Sequence, residues 1–190
     1  PGTGKTSTVV KILDILLEES PDLIIKLVAP TGKAAMRLSD SIDEWADTRE
    51  KKFQVQTLHR LLGMRKDGRT WRHGPQNQVK VDLLIVDEAS MIDLTMMHRL
   101  LGALPDHTRL ILLGDPNQLP SVDTGNVLAD LCAGETGFSS TLAKLASNFV
   151  GEVQTVKKSH QLTDAVCELD KSYRFDPDSG IATLSKAIQS

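Results

Sequence analysis

Three short apolar segments limit the possible folds of this sequence most strongly. Stretches whose apolar residues have helical spacing lie between them, and polar residues follow each one. The segments are residues 23–29, 81–86 and 109–113. Runs of this length with apolar residues at consecutive positions are typical of strands buried on both faces of a parallel sheet. Residues 6–19 and 32–47 have the spacing of amphipathic helices. The alternation of strand and helix therefore predicts an α/β fold with a parallel sheet.

Ligands of parallel α/β sheets bind at the carboxyl ends of the strands. The chain opens with Pro-Gly-Thr-Gly-Lys-Thr, the second half of the phosphate-binding motif G-x-x-x-x-G-K-[ST]. In such a loop, backbone N–H groups and the helix N-terminus bind phosphate, Lys5 reaches the β- and γ-phosphates, and Thr6 binds Mg²⁺. The alternative is a glycine-rich turn before an ordinary helix. The residues predicted to bind the nucleotide are Pro1, Gly2, Thr3, Gly4, Lys5, Thr6 and Ser7.

Two adjacent acids, Asp87 and Glu88, end the second apolar segment. Asp87 is suited to hold Mg²⁺, usually through water, and Glu88 to orient or deprotonate an attacking water. A solvated turn is the alternative, and the preceding apolar run weakens it. After the third segment, the amide of Gln118 could sense a γ-phosphate without competing for the metal. Taken alone, Gln118 is better interpreted as an ordinary polar loop residue.

A second possible anion site follows the first apolar segment, in Ala-Pro-Thr-Gly-Lys-Ala-Ala. Thr31 and the helix start could bind an anion, and Lys33 adds positive charge. A nucleic-acid backbone is a natural occupant of such a site. The alternative is a plain capped helix with a solvated lysine.

Residues 63–81, which we call the basic excursion, interrupt the strand–helix alternation. The Asp67–Gly68 pair predicts a hairpin, so we expect a small inserted β element. Its aromatic residue is Trp71. Its basic residues are Arg65, Lys66, Arg69, Arg72, His73 and Lys80.

Composition excludes little. The net charge of -3 does not indicate a nucleic-acid partner, so a local basic patch would have to provide such binding. Cys132 and Cys167 lie far apart, which predicts two buried, reduced thiols in a cytosolic protein. No apolar run approaches the length of a membrane span, so no membrane partner is expected.

Six sequence blocks, taken together and in order, resemble a known family. They are PGTGKT, APTGKAAMRL, TLHRLLG, DLLIVDEASMIDL, LGDPNQLPSVDTGNVL and KSYRF followed by DSGI. This combination resembles the first RecA-like motor domain of superfamily 1 helicases that move 5′ to 3′ on DNA. Within that superfamily it most resembles the RecD family, the α subunits of exodeoxyribonuclease V. The resemblance implies that residues 1–190 form one RecA-like P-loop domain, truncated at its N-terminus, with residues 63–81 as the inserted element.

The resemblance also implies roles for individual residues. Gln118 would sense the γ-phosphate and couple the bound nucleotide to the strength of DNA binding. Arg174 would reach the γ-phosphate. Trp71, in the excursion beside the point of strand separation, could stack a base or could close a small hairpin core. The residues implied in catalysis are Lys5, Asp87, Glu88, Gln118 and Arg174, with Thr6 and Asp87 at the metal. Those implied in contacts with single-stranded DNA are Pro30, Thr31, Lys33, Thr57, His59 and Arg60.

The implied cofactors are ATP and Mg²⁺, and the implied partners are single-stranded DNA, DNA ends, and the RecB and RecC subunits. The implied process is double-strand break repair and recombination in the bacterial cytoplasm. Two alternatives stay open: a related Pif1-like or relaxase-linked helicase, and a non-catalytic P-loop assembly module. The opening glycine of the loop would precede Pro1, and the second motor domain that the resemblance implies would lie outside residues 1–190. We therefore expect these 190 residues alone to hydrolyse ATP very slowly or not at all.

Overall fold

The computed structural model describes residues 4–46, 53–118, 126–134, 137–151, 153–156 and 162–169. The chain divides into two compact units. One comprises residues 5–129, and the other comprises residues 1–4 with residues 130–190. All of the sheet belongs to the first unit.

The sheet has four parallel strands, which confirms the predicted α/β class. The strands are β1 (Ile25–Ala29), β2 (Val55–Thr57), β3 (Leu83–Val86) and β4 (Arg109–Leu112), in the spatial order β2-β1-β3-β4. The helices of this unit are α1 (Lys5–Glu19), α2 (Gly32–Ala46), α3 (Leu58–Leu61), α4 (Leu94–Gly102) and the first half of α5 (Val127–Cys132). A 3₁₀ turn, Ala89–Met91, joins β3 to α4.

One face of the sheet is buried by α1 and α2. Val9 and Leu13 lie one turn apart on α1 and are fully buried, which orients that helix towards the strands. They share a core cluster with Leu27 of β1 and with two residues of β3, Leu83 and Ile85. Because α1 ends just before β1 begins and packs along the sheet, it starts near the carboxyl ends of the strands.

The helix α4 begins at an N-cap, because the side chain of Asp93 accepts a hydrogen bond of 2.6 Å from the amide of Met96. Helical spacing predicts an apolar face formed by Leu94, Met97, Leu101 and Leu104. The structure buries Met97, Leu100 and Leu104 but leaves Leu94 and Leu101 exposed. The prediction was therefore wrong for Leu94 and Leu101, since the buried face is rotated towards Leu100.

The second unit contains α6 (Ser140–Val150) and a short 3₁₀ turn, Thr163–Ala165. Ser139 caps α6, and Asp164 accepts hydrogen bonds from the amide (2.7 Å) and hydroxyl (2.6 Å) of Ser139. Both hydrogen bonds lower the pKa of Asp164, and the one from the hydroxyl contributes more than the one from the amide. Residues 166–169, whose apolar spacing suggests a strand, have no regular structure. A helix predicted at 181–188 lies outside the described residues.

Both cysteines are free. Cys132 is half-buried, and burial followed by the nearby charge of Glu168 raises the pKa of its thiol. Cys167 is exposed, so the prediction of two buried thiols was wrong for that residue. No helix in the described part of the chain is long and apolar enough to cross a membrane.

Candidate nucleotide-binding site

The parallel register brings the polar segments that follow the strands to one edge of the sheet. Just beyond β3, the amide of Asp87 donates to the carbonyl oxygen of Val28 in β1 at 2.9 Å. The amide of Leu113, just beyond β4, donates to the carbonyl oxygen of Val86 at 2.8 Å. On the other side of β1, Ala29 pairs with Thr57 at the end of β2. The segments predicted to bind nucleotide and DNA therefore follow neighbouring strand ends.

The described part of the phosphate-binding loop lies at the start of α1. Gly4 has a φ of 79°, in the left-handed region that glycine adopts without steric cost. Lys5 and Thr6 follow as the first residues of α1; both are half-buried, and Ser7 is exposed. Since α1 starts at the carboxyl edge of the sheet, its N-terminus and Asp87 lie at the same edge. Three predicted contacts, Pro1, Gly2 and Thr3, lie outside the described residues.

Glu88 combines an unusual backbone with an unpaired side-chain oxygen. Its φ of 52° and ψ of 41° are left-handed, and no other described non-glycine residue has a positive φ. This conformation costs roughly 1–2 kcal/mol for a residue with a Cβ. Its Oε2 is buried and has no hydrogen-bond partner among the described residues. Such a carboxylate oxygen is available to an incoming donor, such as a water molecule.

Tertiary hydrogen bonds and close packing impose the turn at Glu88. The amide of Ala89 donates to the carbonyl oxygen of Leu113 at 2.7 Å, which ties the acidic pair to the end of β4. Next to Leu113, a Cβ on Gly114 would lie 2.4 Å from Cδ2 of Leu128 and 3.0 Å from the backbone nitrogen of Ser90. Glycine at position 114 therefore allows the two loops to approach this closely.

Two residues outside the predicted site, Ser90 and Asn126, contact the Gln118 loop. Ser90 is buried, and its hydroxyl lies 3.5 Å from Oε1 of Gln118. The side-chain amide of Asn126 donates to the carbonyl oxygens of Pro116 (2.9 Å) and Gln118 (3.4 Å), while its Oδ1 caps α5. Asn126 could have been predicted as the N-cap of α5, because it is a polar residue just before that helix. Its hydrogen bonds to the Gln118 loop could not have been predicted from the sequence. Gln118 itself is exposed, and Arg174 lies outside the described residues.

The residues predicted to bind DNA follow β1 and β2. Thr31 accepts a hydrogen bond from the amide of Ala34 at 3.2 Å, so its hydroxyl caps α2, while Lys33 is exposed and Pro30 half-buried. Thr57 caps α3 by accepting a bond from the amide of Arg60 at 3.3 Å. Both threonine hydroxyls therefore accept helix-capping hydrogen bonds. The exposed cations Lys33 and Arg60 remain available to bind the phosphates of DNA. His59 is half-buried against Trp71, at 5.6 Å between ring centroids.

The basic excursion contains a hairpin. Met64 and Trp71 form an antiparallel bridge, and the amide of Arg65 donates to the carbonyl oxygen of Thr70 at 2.9 Å. At the turn, Gly68 has a φ of 66°. Its predicted basic residues are exposed except His73, which is half-buried. The excursion therefore presents a local positive surface on a chain whose net charge is negative.

Asp67 closes the hairpin turn through its carboxylate. Hydrogen bonds from the hydroxyl and amide of Thr70 and from the amide of Arg69 lower the pKa of Asp67 from 3.8 to about 2. Because the pKa is lowered on folding, the ionised carboxylate stabilises the turn fully above about pH 4. That contribution is lost as the pH falls towards 2.

We expect Thr70→Ala to raise the pKa of Asp67 towards its ordinary value, since the Thr70 hydroxyl makes the largest contribution to the shift. Carboxyl titration by NMR on the full-length protein measures this directly. Thr95→Ala, at an exposed threonine of α4, is the matched control. An unchanged Asp67 titration in the Thr70 variant would contradict this account of the turn.

The residues at the sheet edge fit Mg-ATP by their chemistry. Mg²⁺ is usually bound by one or two protein oxygens together with phosphate oxygens and water. Thr6 and Asp87 are half-buried oxygen donors at this edge, and Lys5 supplies a cation for phosphate. No group of three or more His, Cys, Asp or Glu side chains suited to a metal occurs among the described residues. One or two protein oxygens of this kind are what Mg²⁺ takes when it binds together with phosphate groups.

A family model described as AAA domain matches residues 1–124 of the chain. The chain is also similar to the RecBCD enzyme subunit RecD of Haemophilus influenzae, at 44% identity over 205 residues. That alignment covers 100% of this chain and 32% of the relative. The same subunit of Mycolicibacterium smegmatis is 41% identical over 199 residues, covering 97% of this chain and 34% of the relative.

A further relative is the ATP-dependent RecD2 DNA helicase of Deinococcus radiodurans. It is 44% identical over 125 residues, which is 66% of this chain and 16% of the relative. The chain spans about a third of the length of the RecD relatives that it matches.

Proposed function

The chain belongs to the AAA domain family, and from that premise we propose that it is the ATP-hydrolysing motor domain of a RecD-like 5′-to-3′ DNA helicase. The observation that carries the proposal is the side chain of Glu88 at the carboxyl edge of the sheet. Glu88 places a buried, unpaired carboxylate oxygen at the strand edge where α1 begins with Lys5. The similarity to RecD and RecD2 proteins supports the same proposal.

In this proposal each polar group has a separate task. Glu88 orients the attacking water and accepts its proton through Oε2, the oxygen that no described residue satisfies. Lys5 stabilises the negative charge that spreads over the phosphoryl oxygens. Gln118, which Ser90 and Asn126 contact, senses the γ-phosphate and transmits the nucleotide state to the DNA-binding segments.

When bound with ATP, Mg²⁺ would neutralise charge on the β- and γ-phosphates, with Thr6 and Asp87 as its side-chain ligands. Arg174 would add a second cation near the γ-phosphate. Positioning and electrostatics suffice for this reaction, because phosphoryl transfer requires no covalent intermediate on the protein.

Single-stranded DNA would cross the same edge of the sheet at the N-terminus of α2 and at α3. Lys33 and Arg60 would contact its phosphates, since both side chains are exposed there. We further propose that the whole protein binds RecB and RecC, acts at DNA ends, and serves double-strand break repair and recombination in the bacterial cytoplasm.

The test is Lys5→Gln in the full-length protein. We expect its DNA-stimulated ATP hydrolysis to fall by roughly 10²–10³-fold, as for loss of one preorganised group that stabilises transition-state charge. The measurement is steady-state phosphate release with and without oligo-dT.

Lys11→Gln is the matched control, because Lys11 is exposed on the same helix. Hydrolysis at the wild-type rate by the Lys5 variant would overturn the proposal and favour a non-catalytic P-loop module. Co-purification with RecB and RecC would separate a RecD-type subunit from a Pif1-like or relaxase-linked helicase.

A further inference from the structure

Trp71 is engaged by two side chains from outside the hairpin. The guanidinium carbon of Arg99, on α4, lies 4.7 Å from the centroid of the Trp71 ring. The ring of His59, on α3, lies 5.6 Å from it at an interplanar angle of 33°. The hairpin, α3 and α4 therefore meet at the half-buried indole.

The basic excursion also rests on the C-terminal end of α4. The amide of Val79 donates to the carbonyl oxygen of Ala103 at 2.8 Å, and Val79 is buried. The side-chain amide of Gln78 donates to the carbonyl oxygen of Leu104 at 2.9 Å. These bonds fix the end of the excursion, whereas Arg99 contacts the hairpin at Trp71, which pairs with Met64.

The helix α4 starts close to the acidic pair. Asp93, five residues after Glu88, caps it, and Arg99 lies in its last turn. The same helix is thus attached at one end to the proposed hydrolytic site and at the other to the basic excursion. Arg99 on α4 thus contacts Trp71, which in turn contacts His59 on α3.

We propose that Trp71 is a positioning residue that, held by Arg99, fixes His59 and the hairpin in the orientation that binds single-stranded DNA. This inference rests on the proposed function. It assigns the indole to an internal contact rather than to stacking on a base. A cation over an indole ring is stabilising when partly desolvated, and a base would have to displace such contacts in order to stack there.

The experiment measures DNA-stimulated ATP hydrolysis by full-length Trp71→Ala, Arg99→Ala and the double variant. The positioning role predicts that each single change raises the oligo-dT concentration for half-maximal stimulation by about three- to tenfold, with kcat at saturating DNA unchanged. The double variant should resemble the single variants, because either change already breaks the contact. Trp71→Phe, which keeps an aromatic ring, should recover most of the loss.

Arg109→Ala is the matched control for lost positive charge, since Arg109 is exposed at the amino end of β4. Multiplicative effects in the double variant would overturn the inference, because independent contacts multiply. Strong quenching of tryptophan fluorescence by oligo-dT that is lost in Trp71→Phe would also overturn it by indicating base stacking. Absence of DNA stimulation in the wild-type protein would instead refute the proposed function, so the two failures are distinguishable.

Discussion

Glu88→Gln is expected to lower DNA-stimulated ATP hydrolysis by between about 10² and 10⁴-fold, the range for removal of a general base. Glutamine has nearly the same shape but cannot accept the proton of the attacking water. Lys5 and the start of α1 are unchanged, so nucleotide binding should persist. Steady-state hydrolysis and binding of a fluorescent ATP analogue by the full-length protein measure the two effects separately.

The same substitution should leave stability unchanged or raise it. Glu88 holds a buried carboxylate oxygen that no described residue satisfies, and a buried unpaired acceptor is unfavourable to folding, more so when it is charged. Glutamine removes the charge, while the left-handed backbone strain stays the same. Stability that is kept or gained while activity is lost is typical of a residue retained for function.

Glu18→Gln provides the control, because Glu18 is exposed near the end of α1. It should change neither hydrolysis nor nucleotide binding. If Glu88→Gln hydrolysed ATP at the wild-type rate, another group would have to activate the water. If the variant instead lost nucleotide binding, Glu88 would be needed to maintain the structure of the binding site rather than to activate the attacking water.

The strands were predictable because of how they are buried. Every residue of β3 is buried, and such strands show consecutive apolar residues rather than alternation. Strand starts were less predictable, since they depend on side chains from elsewhere. Before β1, the amide of Ile24 donates to the carboxylate of Asp82 at 2.8 Å, a partner distant in sequence. The predicted strand began at residue 23, whereas β1 begins at Ile25.

The helix α6 was not predicted, although its apolar residues have helical spacing: Leu142, Leu145, Ala146, Phe149 and Val150. Leu145, Phe149 and Val150 are exposed, while Ala143 is buried. The available signal was Ser139, whose side chain caps the helix.

The sequence predicted the order of the site segments and their place at the strand ends, but not the geometry within the site. The left-handed backbone of Glu88 is imposed by bonds such as that from Ala89 to Leu113, which no local pattern encodes. The role of Trp71 could not be predicted from the sequence either, because its neighbours His59 and Arg99 reach it only in the folded unit. Trp45 on α2 stacks on Phe53, at 5.6 Å between the ring centroids.

The largest stability effect should come from Gly63, which ends α3 and begins the basic excursion. Its amide donates to the carbonyl oxygen of Arg60, and that of Met64 donates to the carbonyl oxygen of His59, which is the Schellman arrangement at a helix C-terminus. This arrangement needs a left-handed residue, and Gly63 has a φ of 67°. A Cβ at this position would also lie 2.6 Å from Cβ of Arg72 across the hairpin.

Gly63→Ala should therefore weaken the excursion by about 2–5 kcal/mol, the sum of left-handed strain and the displacement of Arg72. Two glycines of the same excursion separate these causes. Gly68 has a φ of 66° and open space around a Cβ, so Gly68→Ala should show only the strain, about 1–2 kcal/mol. Gly74 has open space and no left-handed φ, so Gly74→Ala should have little effect.

Hydrogen exchange in the full-length protein can measure this locally, because the amides of Met64, Arg65 and Arg72 are hydrogen-bonded in the excursion. Their protection should fall most in Gly63→Ala, less in Gly68→Ala and least in Gly74→Ala, since opening free energy sets exchange. Equal losses in the Gly63 and Gly68 variants would show that Arg72 moves aside without cost. That result would mean that the hairpin is not packed as tightly against the end of α3 as the 2.6 Å approach requires.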